Sequence, residues 1–137
     1  MQDGQEQPTR PRRKGHHTQW AAQFAVASEL CKRGYEVSFT MGNSTPLADL
    51  MVVSPAGQMF LVDVKGVATR TCWLVSRKVT RDSLFYVFAF VPSGDTQNQF
   101  FIMTHAEVNE AIHDGPMPDV RWNDLKTNED AWHLLPQ

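Results

Sequence analysis

The sequence predicts an α/β domain, with α+β as the other arrangement its order allows: one mixed central sheet of about five strands flanked by helices. Three observations predict it. A helical periodicity opens the folded part, three strand-like runs follow it, and two further runs precede a short helix. At 137 residues the chain is long enough to bury one core and too short to divide into two domains.

Taken in order, residues 1–17 are polar and rich in Gln, Pro and Arg, with nothing to bury, and are expected to form a flexible arm. The end of the arm is basic, with Arg10, Arg12, Arg13, Lys14, His16 and His17; it suits either a solvated tail or contact with phosphates. Residues 18–137 form the single folded domain. Thr18 is placed to cap a helix from about Gln19 to Lys32. Trp20, Phe24, Ala27 and Cys31 recur along it at helical spacing and mark one buried face, and Gly34 ends it. Tyr35 to Thr40 reads as a strand with Val37 and Phe39 on one side, followed by the loop MGNSTPLA at residues 41–48. Asp49 to Ser54 and Gln58 to Lys65 are two strands around a turn at Pro55-Ala-Gly57, paired as an antiparallel hairpin. Residues 66–83 are mostly basic and hold at most a short strand from Cys72 to Val75. Leu84 to Val91 and Gln99 to Thr104 are strands around the turn PSGDTQN, and Ala106 to His113 is a short helix that ends at Gly115. Trp122, Leu125, Trp132, Leu134 and Leu135 are expected to dock the last stretch onto the core.

Composition narrows the class. Hydrophobic residues at 42% and charged residues at 20% fit an ordinary globular protein. A net charge of -2 excludes a generic, strongly basic DNA coat protein, yet leaves room for a local cationic surface. Cys31 and Cys72 lack the spacing of a zinc or disulfide framework, so reduced thiols and a cytoplasmic location are expected. The N-terminal residues carry no apolar signal stretch, and the longest apolar run, Leu84 to Val91, is too short to cross a bilayer; no membrane partner is expected.

Side chains alternate along a strand, so Asp63 and Lys65 share one face while Val62 and Val64 share the other. With the hairpin turn at residues 55–57, Asp49 falls roughly opposite Asp63. Two carboxylates and one ammonium then converge at one end of the sheet. Such a set suits metal-assisted phosphodiester hydrolysis, in which the acids hold Mg²⁺ and the lysine orients the nucleophile or stabilises the developing oxyanion. A salt bridge between Lys65 and either aspartate is the plain alternative.

The order of these motifs resembles the PD-(D/E)XK nuclease superfamily, and is similar to archaeal Holliday-junction resolvases and their small bacterial relatives. The resemblance lies in Leu30-Cys-Lys-Arg-Gly34-Tyr35, in Asp49-Leu-Met-Val-Val and in Asp63-Val-Lys65, with weaker similarity in LFYVFAFV and QFFIMT. It implies a restriction-endonuclease-like fold over residues 18–137 and an Mg²⁺-dependent DNA endonuclease in which Mn²⁺ substitutes, acting on DNA that includes branched or structured forms. It further implies Asp49 and Asp63 as metal ligands, the Val64 carbonyl as a third ligand, Lys65 as the catalytic lysine, and a homodimer or higher homo-oligomer. Two positions depart from the pattern. Ala48 stands where the motif has proline, and Gln23 stands where relatives often place a glutamate on the first helix. An amide oxygen can accept a hydrogen bond from metal-bound water but brings no charge to the ion, so a catalytically inactive, nuclease-fold DNA-binding or interaction module is the alternative function.

Beyond the motif, Lys65, Arg70, Arg77, Lys78 and Arg81 occur with no acidic residue between Lys65 and Arg81, and Trp73 lies among them. This is a candidate DNA-backbone surface, with an ordinary solvated face as its alternative. Asn43, with Gly42, Ser44 and Thr45, is placed to shape a substrate-side loop. His105 and His113 have no metal-ligand spacing and are expected to be structural or surface residues.

Overall fold

The computed structural model describes residues 14–41 and 48–137. The expectations for the arm at residues 1–13 and for Gly42, Asn43, Ser44 and Thr45 fall outside the described residues.

The elements run α1 (Gly15–Lys32), β1 (Glu36–Phe39), β2 (Leu50–Val53), β3 (Met59–Val67), β4 (Trp73–Leu74), β5 (Leu84–Phe90), β6 (Gln99–Thr104), α2 (His105–Ala111) and β7 (Asp119–Val120), with short 3₁₀ turns at Trp122–Leu125 and Trp132–Leu134. Five strands form one mixed sheet in the order β1-β2-β3-β5-β6, and β4 pairs with β7 in a separate two-stranded ribbon. Every neighbour in the large sheet is antiparallel except β3 and β5, which run parallel. That parallel pair requires a crossover, and residues 68–83 with β4 provide it. The expected mixed α/β sheet of five strands is therefore the observed one.

α1 begins at Gly15, not at Gln19, so the helix includes residues 15–17 of the expected arm. Thr18 lies inside it. The helix start is held instead by His17, whose Nδ1 accepts the Lys14 backbone N–H at 3.2 Å. The first turn is polar, so hydrophobic periodicity could not mark it.

The buried face of α1 also differs from the expected one. Ala22, Gln23, Val26, Ala27 and Leu30 face the sheet, whereas Cys31 is exposed and Phe24 is 58% exposed. The reason is a close backbone approach. A Cβ at Gly66 of β3 would lie 2.6 Å from the Ala22 Cβ, so only small residues fit where helix and strand cross. The bulkier Trp20 and Phe24 are displaced to the flank, where Phe24 packs against Phe39 of the edge strand with ring centroids 5.3 Å apart.

One face of the sheet packs on α1 through Val52, Val62, Val64 and Val87, together with Trp132 and Leu135 from the chain end. The other face carries Trp73, Tyr86, Phe88, Phe101, Val108 and Leu125. Covered on both sides, β5 is buried throughout. α2 starts on a reciprocal cap in which Thr104 Oγ1 accepts from the Glu107 N–H at 3.2 Å and Glu107 Oε1 accepts from the Thr104 N–H at 2.9 Å. The terminal segment covers the free edge of β6 through Ile102 N–H to Asn128 O and Asp130 N–H to Phe100 O. Among the described residues no helix is long and apolar enough to cross a membrane.

The Ala22–Gly66 crossing gives a direct test. Gly66→Ala should destabilise the protein by about 1–3 kcal/mol through overpacking, read as a lower urea midpoint at unchanged slope. An unchanged midpoint would show that α1 does not sit this close to β3.

Candidate active site

The hairpin register fixes the site. The ladder ends where Leu50 pairs with Val62, and Asp49, the next residue out, lies beside Asp63, whose charge acts on it. The Asp49 N–H donates to the Val62 carbonyl at 3.1 Å, which ties it to β3. Asp49 Oδ2 turns across to β3 and accepts the Val64 N–H at 2.8 Å. Val62 and Val64 belong to the apolar layer under α1, which leaves Asp63 and Lys65 on the opposite face. There Lys65 Nζ stands 3.1 Å from Asp63 Oδ2, so the ion pair that strand alternation allowed is present.

That pair does not neutralise the site. Asp63 is only 7% exposed, and its Oδ2 has no hydrogen-bond donor in suitable alignment; Lys65 meets it as a charge rather than as an aligned donor. Asp49 adds a second carboxylate against the single ammonium. Burial, and then the charge of Asp63, push the Asp49 carboxyl up to about 6, against the opposing pull of the Val64 N–H and Lys65. Among the described residues no third His, Cys, Asp or Glu joins the two acids.

The first helix reaches the site through a residue the motif does not name. Gln19 Nε2 donates to the Val64 carbonyl at 2.9 Å, the same carbonyl expected to serve as a third ligand. A carbonyl has two lone pairs, so one remains for a second partner. Gln23, one turn further on, is buried at 8% exposure, and among the described residues no hydrogen bond joins it to Asp49 or Asp63. Its spacing from Gln23 on one helical face was the available signal for Gln19.

One more residue was missed, and His105 takes the structural role expected of it. Tyr86 of β5 is the register partner of Asp63, and its hydroxyl is pushed up to about 12 by burial and then by the Asp63 charge. His105 packs beside it at a ring separation of 5.5 Å and accepts the Arg81 backbone N–H on Nδ1 at 3.0 Å. Its pKa is lowered by burial and by Lys78 and Arg81, with Asp63 opposing. Tyr86 lies on an all-apolar strand, so it carried no motif.

The basic segment divides into two kinds of residue. Arg70, Arg77, Lys78 and Arg81 are exposed. Arg70 lays its guanidinium 3.9 Å from the Trp122 ring centre, and Arg77 pairs with Asp114 at 3.3 Å. Trp73 must be corrected. At 1% exposure, with its indole N–H donating to the Ala89 carbonyl at 3.1 Å, it is a core residue that cannot offer its ring to DNA. Expected as a surface aromatic because cations surround it, it instead enters the core through the β4–β7 ribbon. His113 binds Asp124 Oδ2 at 2.9 Å, in keeping with a structural role.

Lys65, 31% exposed at its side chain, separates two open grooves. The larger, about 690 Å³, runs from Gln19 past Gly66 to Thr71 and Asp119. The smaller, about 330 Å³, runs from Lys65 over Tyr86 to Lys78.

No protein-family profile matches the sequence, and neither does any curated protein. The fold is similar to the solved structure of a bacterial homing endonuclease, I-Ssp6803I, with a TM-score of 0.62 over 90% of this chain and 91% of that one, at 19% sequence identity. At that identity the likeness establishes the fold, a mixed α/β arrangement shared with a nuclease.

The raised Asp49 carboxyl sets a pH dependence. Between its ordinary value of 3.8 and about 6 the folded protein binds more protons than the unfolded chain, so this group's contribution to stability falls as pH rises through that window. In EDTA, Asp49→Asn keeps an acceptor for the Val64 N–H and removes the charge. Its melting temperature should therefore match wild type near about pH 4 and exceed it near about pH 7.5. A difference that stays constant with pH would rule out the buried carboxylate pair.

Proposed function

We propose that this chain is a metal-dependent DNA endonuclease that hydrolyses phosphodiester bonds, with Mg²⁺ as its ion and Mn²⁺ as a working substitute. The observation that carries the reading is the meeting of the Asp49 and Asp63 carboxylates with the Lys65 ammonium at one end of the β2–β3 hairpin. A buried oxygen without a donor, beside a second acid whose ionisation its neighbour opposes, is a donor set that a hard divalent cation would satisfy. Asp49 and Asp63 would hold the ion, with the Val64 carbonyl as the third protein ligand. When bound, it supplies Lewis-acid activation of water and neutralises charge at the phosphoryl group.

The remaining work falls to the chain itself. The Val64 N–H fixes the rotamer of Asp49, and Gln19 fixes the Val64 carbonyl from the opposite side. Asp63 aims the Lys65 ammonium, which donates to a non-bridging phosphate oxygen as charge builds there. Water attacks phosphorus and loses a proton to solvent as the new P–O bond forms, while the bond to the sugar oxygen breaks and that leaving oxygen takes up a proton from solvent. Arg70, Arg77, Lys78 and Arg81 are the exposed cations that would meet the DNA backbone, and Asn43 is a further proposed contact. The likeness to a homing endonuclease supports DNA as the substrate. Branched or structured DNA belongs to the proposed range, and a homodimer or higher oligomer follows from one centre per chain against two strands per duplex.

Gln23 favours a second reading, a DNA-binding module that does not cut, because the helix face nearest the site brings no third charge for the ion. Supercoiled, linear and four-way-junction DNA incubated with Mg²⁺ or Mn²⁺ separates the two. The nuclease reading expects cleavage that Asp63→Ala abolishes and Lys65→Ala slows by about 100- to 1,000-fold. Cleavage that survives both substitutions contradicts it, and tight binding without any cleavage favours the module.

A further inference from the structure

We infer that the outer flank of α1 is a surface for a second copy of this chain, which lays the same helix on it antiparallel, with Phe24 at the two-fold axis. This pairing gives the proposed homodimer its surface and rests on the nuclease reading only for the need for two centres.

His17, Trp20, Phe24, Ser28 and Cys31 are all exposed and recur at helical spacing, so they form one stripe roughly 21 Å long. At its centre Trp20 is 37% and Phe24 58% exposed, with the two rings stacked at 5.6 Å and Phe39 of β1 beside Phe24 at 5.3 Å. On the other face of the helix Ala22, Val26 and Leu30 are already buried against the sheet. A helix that carries apolar residues on two faces is normally covered on both.

Charge and shape identify what covers the stripe. None of its five positions holds Lys, Arg, Asp or Glu, so it offers no cation to a phosphate backbone and no like charges to a copy of itself. The neighbouring cations Lys32 and Arg33 turn onto Glu29, at 3.5 and 3.7 Å. The spacing is symmetric about Phe24, with Trp20 and Ser28 four residues to either side and His17 and Cys31 seven. An antiparallel two-fold pair therefore sets Trp20 against the partner's Ser28, and His17 against the partner's Cys31, bulky against small. A parallel pair would set tryptophan on tryptophan and serine on serine, a clash beside a gap. Gln19 and Trp20 are consecutive; the first holds the Val64 carbonyl at 2.9 Å and the second meets the partner, so α1 links each centre to the two-fold.

Sedimentation equilibrium in EDTA without DNA tests this apart from cleavage, which is assayed in parallel with Mg²⁺. Wild type should sediment at twice the 15.5 kDa of the chain. Phe24→Glu puts like charges at the axis and should raise the dimer dissociation constant about 100-fold. Ser28→Trp adds apolar surface at an exposed position, yet should also separate the copies, because it meets the partner's Trp20. It serves if Phe24→Glu fails to fold. Under oxidation Phe24→Cys should form an intermolecular disulfide across the axis, identified by mass spectrometry of the linked peptides. Cys31, roughly 20 Å from the partner's Cys31, should form none. A monomeric wild type, a Ser28→Trp dimer as tight as wild type, or a link between two Cys31 thiols each overturns the inference. A monomer whose DNA binding weakens in Phe24→Glu assigns the stripe to nucleobases and overturns it as well. Dimers of the predicted pattern that never cut would uphold the surface and sink the nuclease reading; a monomer that cuts would do the reverse.

Discussion

Like charges brought together on adjoining strands repel, and the repulsion grows as water is withdrawn from them. The β2–β3 ladder imposes that situation on Asp49 and Asp63, because the register that pairs Leu50 with Val62 leaves the two acids beside each other at its end. Burial of Val62 and Val64 beneath α1 fixes the phase of β3, and a slip of one residue would send Asp63 and Lys65 into the apolar layer. The close crossing at Ala22 and Gly66 fixes where α1 lies, and through Gln19 it also fixes the Val64 carbonyl. The site is thus held by the packing of the opposite face of the sheet.

This geometry explains why the chain tolerates an unfavourable feature at its centre. Lys65 supplies one positive charge against two carboxylates, and Asp63 Oδ2 remains without an aligned donor. A buried group left in that state costs stability, and the cation proposed above would complete the arrangement. Surrounding structure limits how far the acids can move apart, since Asp49 is tied to the Val64 N–H and Asp63 sits on a strand paired on both sides.

Much of this was legible in the sequence because it is local. Strand alternation puts Asp63 and Lys65 on one face, and a short hairpin turn brings Asp49 beside Asp63; both rules act over a few residues. The helix face was not legible, since Trp20 and Phe24 dominate any hydrophobic periodicity while small residues at Ala22 and Gly66 decide the contact. Trp73 was misplaced because its neighbours in sequence are cations, although its neighbours in space are Phe88 and Phe101. Tyr86 reaches the site only through the parallel β3–β5 pairing, a long-range feature that no short motif encodes.

The most direct measurement is anomalous diffraction from crystals of the protein grown with Mn²⁺. The account predicts one strong peak within coordination distance of both the Asp49 and Asp63 carboxylates, with Lys65 beside it. A map without that peak, or with the metal bound only elsewhere, would contradict it.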